Sequence, residues 1–242
     1  MNAFLLAAGY GSRLGNITLS TPKCLLKVGE HTMLEHWIQK LDQLGVKHFF
    51  INTHHLASKV SHFLASHPFK DRIEIIHEPE LLGTAGTITE NLQKLVLDDC
   101  VIVHVDNYCD DSLFEMLSTF KSRPQHVLMT LLAFRSQHPE RCGVVVTNKS
   151  GLLMEFYEKI MDPPTNLANG AVYLVSRDFL QKLFNSSKKY DFSKDVMPKM
   201  LGRANVYETQ EYFEDIGTPE SWFRAIEFQK SKKGSRQALA ES

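Results

Sequence analysis

The sequence predicts an α/β fold with a doubly wound sheet that is mixed but mostly parallel. In the first half, short apolar runs of strand length alternate with segments whose apolar residues recur every three or four positions. The connections between them are short, as in sheets built from right-handed β-α-β units. After about residue 133 the strand-like runs follow one another with less helix between them, which predicts a mixed edge and a small additional sheet in the second half.

The individual elements follow from these patterns. Residues 4–8 (FLLAA) are apolar throughout, as expected for a central parallel strand. Residues 33–44 carry apolar side chains on one helical face, and Gly45 ends this predicted helix. The other predicted strands are residues 49–51, 73–76, 100–105, 127–133, 144–146, 153–157 and 171–175, and the other predicted helices are residues 60–64, 85–95 and 113–120.

The composition argues against a nucleic-acid or membrane partner. The 242 residues include 27 Lys and Arg against 28 Asp and Glu, whereas proteins that bind such polyanions usually carry a basic excess. No apolar stretch approaches the roughly 20 residues that a membrane-spanning helix needs. The apolar run near the N-terminus has no basic region before it, and the four cysteines form no Cys-x-x-Cys pair. We therefore expect a cytoplasmic protein with reduced thiols.

The chain has neither an internal repeat nor a linker-like segment. We therefore expect a single domain over residues 1–230, with two halves that meet near residue 125. Residues 231–242 are polar and basic, which is typical of a flexible tail.

A glycine-rich loop follows the first predicted strand. Ligands of doubly wound sheets bind outside the carboxyl ends of the strands, so this loop is a candidate site. Gly9 and Gly11 let backbone N–H groups turn toward an anion at close range, and Arg13 adds a bidentate cation that suits a triphosphate. Lys23, which lies between Pro22 and an apolar segment, is expected to be a second phosphate contact.

The loop does not fit a Rossmann-type dehydrogenase. The dinucleotide fingerprint requires glycine where this chain has Leu14, and it requires an acidic ribose-binding residue about twenty positions further on. That region instead contains Lys23, Lys27 and Glu30 around an apolar segment.

The loop and the lysine belong to a longer series of motifs. Residues 6–14 (LAAGYGSRL) followed by residues 22–26 (PKCLL) resemble the opening signature of the sugar-1-phosphate nucleotidyltransferases. The similarity continues, in the order found in that family, through the segments 78–86 (EPELLGTAG), 105–106 (VD), 143–145 (GVV), 158–159 (EK), 169–173 (NGAVY) and 215–219 (DIGTP). The resemblance implies a Rossmann-like nucleotidyltransferase fold, with a nucleotide-binding half at residues 1–125 and a sugar-phosphate-binding half at residues 126–230.

The resemblance also implies an activity, the transfer of a nucleoside monophosphate from an NTP to a sugar 1-phosphate with release of pyrophosphate. Arg13 and Lys23 would offset charge on the triphosphate, and Asp106 and Asp215 would together bind one Mg²⁺. These four residues form the predicted catalytic group. The predicted nucleotide-binding residues are Ala8, Gly9, Gly11, Ser12, Arg13, Lys23, Glu78, Glu80, Gly83 and Thr84.

Four residues of the second half are expected to bind the sugar phosphate. The resemblance implies that Lys159 pairs with the phosphate and Glu158 with sugar hydroxyls. Gly143 would contribute a backbone amide to the sugar and Asn169 a side-chain amide. The family more often has Pro after the Glu-Lys pair, where this chain has Ile160.

The chain also departs from the family pattern before the first metal-binding carboxylate. The family usually has Gly before this Asp and often Asn before that, whereas this chain has His104 and Val105. The chemistry requires no catalytic imidazole, so we expect His54, His55, His77 and His104 to be structural or surface histidines.

Glu78 favours GTP as the nucleotide. Thymidylyl and uridylyl relatives commonly have Gln at this interval, five residues before Gly83, and Gln suits the edge of a pyrimidine dione because it both donates and accepts. A carboxylate only accepts, which suits the N1–H and N2–H₂ donors of guanine. Glu80 is the other candidate for this role. The alternatives are enzymes of the same fold that use UTP, dTTP or CTP.

Mannose 1-phosphate or a heptose 1-phosphate is the favoured acceptor. An amino-sugar 1-phosphate, or a non-sugar phosphate such as phosphocholine, would use the same machinery. A non-catalytic nucleotide-binding regulatory protein is the alternative of another class. The sequence leaves open whether the chain forms a homo-oligomer.

Overall fold

Strands and helices alternate along the first half of the chain, and strands predominate in the second. The computed structural model describes residues 1–95, 98–183 and 190–240. The strands are β1 (Asn2–Leu6), β2 (Lys27–Val28), β3 (His31–Thr32), β4 (His48–Thr53), β5 (Ile73–His77), β6 (Cys100–His104), β7 (Asn107–Cys109), β8 (Met129–Arg135), β9 (Gly143–Thr147), β10 (Leu153–Glu158), β11 (Leu167–Val175), β12 (Ala204–Glu208) and β13 (Phe213–Asp215). The helices are α1 (Ile17–Ser20), α2 (Met33–Gln43), α3 (Ala57–Ala65), α4 (Gly86–Glu90), α5 (Leu92–Leu95), α6 (Phe114–Lys121), α7 (Arg177–Leu183) and α8 (Pro219–Ala240).

Nine of the strands form one central sheet. Seven of them follow the order β10-β9-β11-β6-β1-β4-β5, and β8 pairs with both β11 and β12. The four strands β6, β1, β4 and β5 are parallel neighbours. β11 is antiparallel to β6, β8 and β9, so it joins the parallel part of the sheet to the mixed edge. The predicted Rossmann-like, mixed sheet with flanking helices is confirmed.

Two small antiparallel sheets lie outside the central one. β2 pairs with β3, and β13 pairs with β7. The second of these joins the two halves of the chain, because β7 precedes residue 125 and β13 follows it. The additional sheet expected in the second half is therefore built with one strand from the first.

The central strands are buried on both faces. Ala3 and Leu5 of β1 belong to one apolar cluster, while Phe4 between them belongs to a second. β6 divides in the same way, with Val103 in the first cluster and Ile102 in the second. Successive side chains of a strand point to opposite faces, so a continuous apolar run fits a sheet that is covered on both sides.

Two predicted elements have different limits in the structure. β1 ends at Leu6 instead of residue 8, because the backbone N–H of Ala7 donates to Oδ1 of Asn52 at 2.7 Å and leaves the ladder. The helix predicted over residues 85–95 is two helices that meet at Asn91, whose side-chain amide donates to the carbonyl of Thr87.

Residues 231–242, which are expected to form a flexible tail, include the end of the last helix. Residues 231–240 continue helix α8, and residues 241 and 242 lie outside the described part of the chain. Lys232 forms an ion pair with Asp110, and Lys233 forms one with Glu30, so the basic side chains at the start of this segment contact the body of the protein. None of the helices in the described ranges is long and apolar enough to span a membrane.

Candidate active site

A cavity of about 230 Å³ lies at the carboxyl ends of β1, β4 and β6. This is the edge of a parallel sheet at which ligands are expected to bind. Of the predicted site residues, those that line the cavity are Ala8, Gly9, Lys23, Glu78, Gly83, Thr84 and Asp106. Gly11, Ser12, Arg13 and Glu80 are not part of this lining.

The glycine-rich loop folds tightly against Lys23. Gly11 has a φ of +66°, and a Cβ at this position would lie 2.8 Å from Cγ2 of Thr18 and 3.2 Å from Cβ of Lys23. The hydroxyl of Thr18 donates to the carbonyls of Gly11 and Gly15. A side chain at Gly11 would therefore separate the loop from the lysine.

Two histidines hold the loop from the β4 side. Nδ1 of His54 lies 2.7 Å from the carbonyl of Glu78, so this nitrogen donates. Nε2 of His54 lies 2.6 Å from the hydroxyl of Tyr10. His55 donates through Nε2 to the carbonyl of Thr18 at 2.9 Å. Both histidines have the structural role that the sequence predicts.

The four predicted catalytic residues form one charge cluster. Nζ of Lys23 lies 2.6 Å from Oδ2 of Asp106 and 3.6 Å from Oδ1 of Asp215. Nη2 of Arg13 lies 3.5 Å from Oδ2 of Asp215. The pairing of β13 with β7 brings the two carboxylates together, and the backbone N–H of Ile216 donates to the carbonyl of Asp106.

The two carboxylates of this cluster have pKa values that shift in opposite directions. Burial by itself would raise the pKa of Asp106, but the adjacent ammonium of Lys23 holds it below its ordinary value. Burial and the negative charge of Asp106 raise the pKa of Asp215, and Lys23 and Arg13 offset this only in part. The two carboxylates are therefore close enough for the charge of one to affect the pKa of the other.

Gly217 allows Arg13 to reach Asp215. A Cβ at residue 217 would lie 2.5 Å from Nη2 of Arg13 and 2.9 Å from Oδ1 of Asp215. No real Cβ makes contacts this short, so a larger residue would displace the guanidinium. This glycine belongs to the segment 215–219, one of the segments that resemble the motifs of the family.

Asp106 and Asp215 fit Mg²⁺. Magnesium prefers oxygen ligands and is commonly bound by one or two carboxylates together with substrate phosphates. Within the described ranges, no group of three or more His, Cys, Asp and Glu side chains has the geometry of a metal site. The two carboxylates thus suit an ion whose remaining ligands come from a phosphate substrate and water.

Glu78 is buried in the wall of the cavity, where hydrogen bonds hold its carboxylate. The residue is 2% exposed. Oε1 accepts from the amide of Asn52 at 2.9 Å and from the hydroxyl of Thr87. Oε2 accepts from the backbone N–H of Leu82 at 3.3 Å. Glu80, the other candidate for base recognition, is exposed.

The segment after Glu78 is fixed by the chain around Tyr190. The carbonyl of Tyr190 accepts from the backbone N–H groups of Ala85 and Gly86 at 2.9 and 3.0 Å. The hydroxyl of Thr84 accepts from the backbone N–H of Phe192 at 2.8 Å. Gly83 has a φ of +82°, and a Cβ there would lie 2.7 Å from the same Tyr190 carbonyl. The second half of the chain therefore shapes the predicted base-binding segment.

The predicted acceptor residues are neighbours at the mixed edge. Gly143 of β9 pairs with Glu158 of β10, and a Cβ at residue 143 would lie 2.9 Å from Oε2 of Glu158. Nζ of Lys159 lies 3.4 Å from Oε1 of Glu158, and 64% of the lysine side chain is exposed. Lys159 also has a φ of +53°, which is uncommon for a residue with a side chain.

Asn169 lies where β11 leaves regular pairing. Its amide donates to the hydroxyl of Tyr173 at 2.7 Å, and its Oδ1 accepts from the backbone N–H of Ala171. Ala171 has a φ of +52°. Strained positions of this kind cluster at functional sites, which agrees with the predicted location of the acceptor.

Three polar residues at the site were not singled out as site residues from the sequence. Asn52 bridges the backbone of Ala7 to Glu78. The side-chain amide of Asn107, next to Asp106, donates to the carbonyl of Gly170 at 3.2 Å. This bond connects Asp106 to the segment that contains Asn169. Thr87 lines the cavity. A polar residue directly after an apolar run was the available signal for Asn52, and the position next to Asp106 was the signal for Asn107.

The chain matches a known family over almost its whole length. The family model described as "Nucleotidyl transferase" matches residues 2–232. A mannose-1-phosphate guanylyltransferase of Mycobacterium tuberculosis is 27% identical over 229 residues, which cover 93% of this chain and 63% of the relative. The chain spans 61% to 63% of the lengths of this and two other curated relatives.

Solved structures share the fold. A Bacillus anthracis protein named "Putative Glucose-1-Phosphate Thymidylyltransferase", solved with sucrose, has a TM-score of 0.83 and 24% identity, and the alignment covers 94% of both chains. HddC from Yersinia pseudotuberculosis, solved with GMP-PN, has a TM-score of 0.76 and 21% identity, with 93% of this chain and 98% of HddC covered. At these identities the likeness supports the fold alone.

Proposed function

Because the chain belongs to the nucleotidyl transferase family, we propose that it transfers GMP from GTP to a sugar 1-phosphate and releases pyrophosphate. The acceptor that we propose is mannose 1-phosphate or a heptose 1-phosphate. The observation that carries the proposal is the contact of Lys23 with Asp106, beside Asp215 and Arg13, at the wall of the cavity. Two carboxylates and two cations at one edge of the sheet suit the transfer of a nucleotidyl group from a triphosphate to a phosphate acceptor.

The reaction needs no residue that removes a proton. A phosphate monoester has a second pKa of about 6, so its oxygen is largely ionised at neutral pH. This oxygen attacks the α-phosphorus of the nucleotide, a new P–O bond forms, and the bond to the β-phosphate bridging oxygen breaks. The site aligns the two reactants and offsets their charge. We expect one in-line displacement with inversion at phosphorus.

The cluster supplies the charge that this displacement requires. Arg13 is exposed at the glycine-rich loop and would contact the phosphates that leave as pyrophosphate. Lys23 is nearly buried and would contact the α-phosphate. Asp106 and Asp215 would hold Mg²⁺, which when bound neutralises charge on the triphosphate and orients its oxygens.

The acceptor would bind at the mixed edge. Lys159 contacts Glu158 only loosely, at 3.4 Å, and its side chain is mostly exposed, so its ammonium is free to pair with the acceptor phosphate. Glu158 and Asn169 would accept and donate hydrogen bonds to sugar hydroxyls, and Gly143 would offer its backbone amide.

Two observations favour GTP. Oε2 of Glu78 accepts only the long bond from Leu82 among the described residues, so it retains acceptor capacity for guanine donors. Several similar curated proteins are named mannose-1-phosphate guanylyltransferase, and HddC was solved with GMP-PN. The Bacillus anthracis structure is named as a thymidylyltransferase, so dTTP is an alternative, as are UTP and CTP. We also propose a cytoplasmic location, which the four free cysteines support.

The test is a grid of GTP, UTP, dTTP and CTP against a panel of sugar 1-phosphates, with phosphocholine included and Mg²⁺ present. Pyrophosphate release is measured for every pair. We expect rapid release with GTP and with mannose 1-phosphate or a heptose 1-phosphate. A strict preference for another nucleotide would overturn the GTP proposal. Nucleotide binding without release in any pair would favour a non-catalytic regulator.

A further inference from the structure

We propose that the imidazole of His104 determines nucleotide specificity by hydrogen-bonding a ribose hydroxyl of the bound nucleotide. The inference rests on the proposed function and assigns a role to a residue that this function does not otherwise use. His104 is the last residue of β6 and lines the cavity. Its Nε2 is buried and has no hydrogen-bond partner among the described residues.

An unpartnered ring nitrogen at this depth indicates that a ligand completes the site. Buried polar atoms are nearly always hydrogen-bonded, because an unpaired one loses its contacts with water and gains nothing in return. A neutral imidazole has one donor and one acceptor nitrogen, and a hydroxyl can satisfy either of them.

The position of His104 in the cavity indicates that it contacts the ribose of the nucleotide. The lining of the cavity contains Lys23 and Asp106 at the proposed phosphate end. It also contains Glu78 and Thr84 at the proposed base end. His104 lies in the same lining, so a nucleotide that reaches from one end to the other passes this ring. In a nucleotide, the ribose is the group between the base and the α-phosphate.

The surroundings of His104 hold the ring by aromatic packing instead of hydrogen bonds. The ring makes an edge contact with Tyr173 at a centroid distance of 6.4 Å. Tyr173 is in turn stacked on Phe192 at 4.2 Å, and its hydroxyl accepts a hydrogen bond from the amide of Asn169. These contacts fix the ring without using its nitrogens.

The test compares the binding of GTP, 2′-deoxy-GTP and 3′-deoxy-GTP by titration calorimetry with Mg²⁺ and without acceptor. We expect the wild-type protein to bind at least one deoxy analogue about tenfold more weakly than GTP, the usual effect of one hydrogen bond. His104→Leu is expected to weaken GTP binding by a similar factor and to leave binding of that analogue unchanged. His104→Gln, which keeps a polar group, is expected to restore part of the preference.

Thr130→Val is the matched control, because the hydroxyl of Thr130 is also buried without a described partner but does not line the cavity. It is expected to leave the binding of all three nucleotides unchanged. Equal binding of the three nucleotides by the wild-type protein would overturn the role of His104 even if His104→Leu failed to fold. A folded His104→Leu variant that still prefers GTP to the deoxy analogue would also overturn the role of His104. No GTP binding by the wild-type protein would overturn the proposed function together with this inference.

Discussion

The ammonium of Lys23 lies 2.6 Å from Oδ2 of Asp106, although 83 positions separate the two residues in the sequence. The lysine side chain is only 8% exposed, and that of Asp106 is 38% exposed. A nearly buried ammonium is unfavourable without a partner, so the contact with the carboxylate stabilises the position of Lys23 at the cavity. The contact also couples the glycine-rich loop region to the strand end that carries Asp106.

Neutralising either carboxylate is expected to abolish most of the activity. Asp106→Asn and Asp215→Asn each remove a negative charge that would hold Mg²⁺, so we expect kcat/KM to fall by roughly 10²–10³ and the Mg²⁺ requirement to rise. Pyrophosphate release measured over a range of Mg²⁺ concentrations checks this. Asp71→Asn, at an exposed position, is the charge-matched control and should have no effect. Wild-type rates in either site variant would remove that residue from the metal site.

Glu78→Gln is expected to impair the use of GTP. The new amide can keep an oxygen against Asn52 and Thr87, but it then places a donor against the backbone N–H of Leu82. We expect kcat/KM for GTP to fall by about 100-fold while that for UTP or dTTP falls less, because an amide suits a pyrimidine dione.

Glu80→Gln is the control for the nucleotide preference, because Glu80 is exposed and outside the cavity lining. It should leave kcat/KM for GTP within about twofold of the wild-type value. A larger loss in Glu80→Gln than in Glu78→Gln would transfer the base-recognition role to Glu80.

Gly83→Ala is expected to destabilise the base-binding segment. The residue has a φ of +82°, and its Cβ would lie 2.7 Å from a backbone carbonyl of Tyr190 that cannot move aside easily. Gly202→Ala is matched to it, because Gly202 has a φ of +69° but no atom within 4 Å of its Cβ position. Backbone strain costs both variants about 1 kcal/mol, and the steric clash should add about 1–2 kcal/mol in Gly83→Ala alone.

Urea unfolding measures the difference in the free energy of unfolding between Gly83→Ala and Gly202→Ala. GTP titration measures whether Gly83→Ala also weakens nucleotide binding. Equal free energies of unfolding for the two variants would mean that the contact with Tyr190 is unimportant.

His36 is expected to make the protein less stable in mild acid. Burial lowers the pKa of His36 to about 3, with the charge of Lys40 acting in the same direction. In the unfolded chain its pKa is about 6.5, so below that pH the unfolded state binds a proton that the folded state does not. Stability is therefore lost as the pH falls from about 6.5 toward 3.

His36→Gln removes this source of acid sensitivity. Between about pH 7.5 and pH 5, the free energy of unfolding of the wild-type protein should fall by about 2 kcal/mol more than that of the variant. Urea titrations at the two pH values give the comparison. The same pH dependence in both proteins would contradict a lowered pKa of His36 in the folded state.

The parts of the site that are local in the chain could be predicted from the sequence. Gly11 and Gly83 both have positive φ values, as expected of glycines in loops that follow strands. The apolar run of β1 and the periodicity of α2 predicted buried elements, because strand and helix geometry impose periods of 2 and 3.6 residues. The order of the motifs indicated which residues belong to one site.

The contacts that complete the site were decided only by the tertiary structure. Asp215 reaches Lys23 through the pairing of β13 with β7, and Tyr190 fixes Gly83 from the other half of the chain. The same holds for Asn52, which takes the backbone N–H of Ala7 out of the β1 ladder. Residue type and spacing determine which conformations a segment prefers, whereas a hydrogen bond between distant segments depends on the register of the strands and the packing between them.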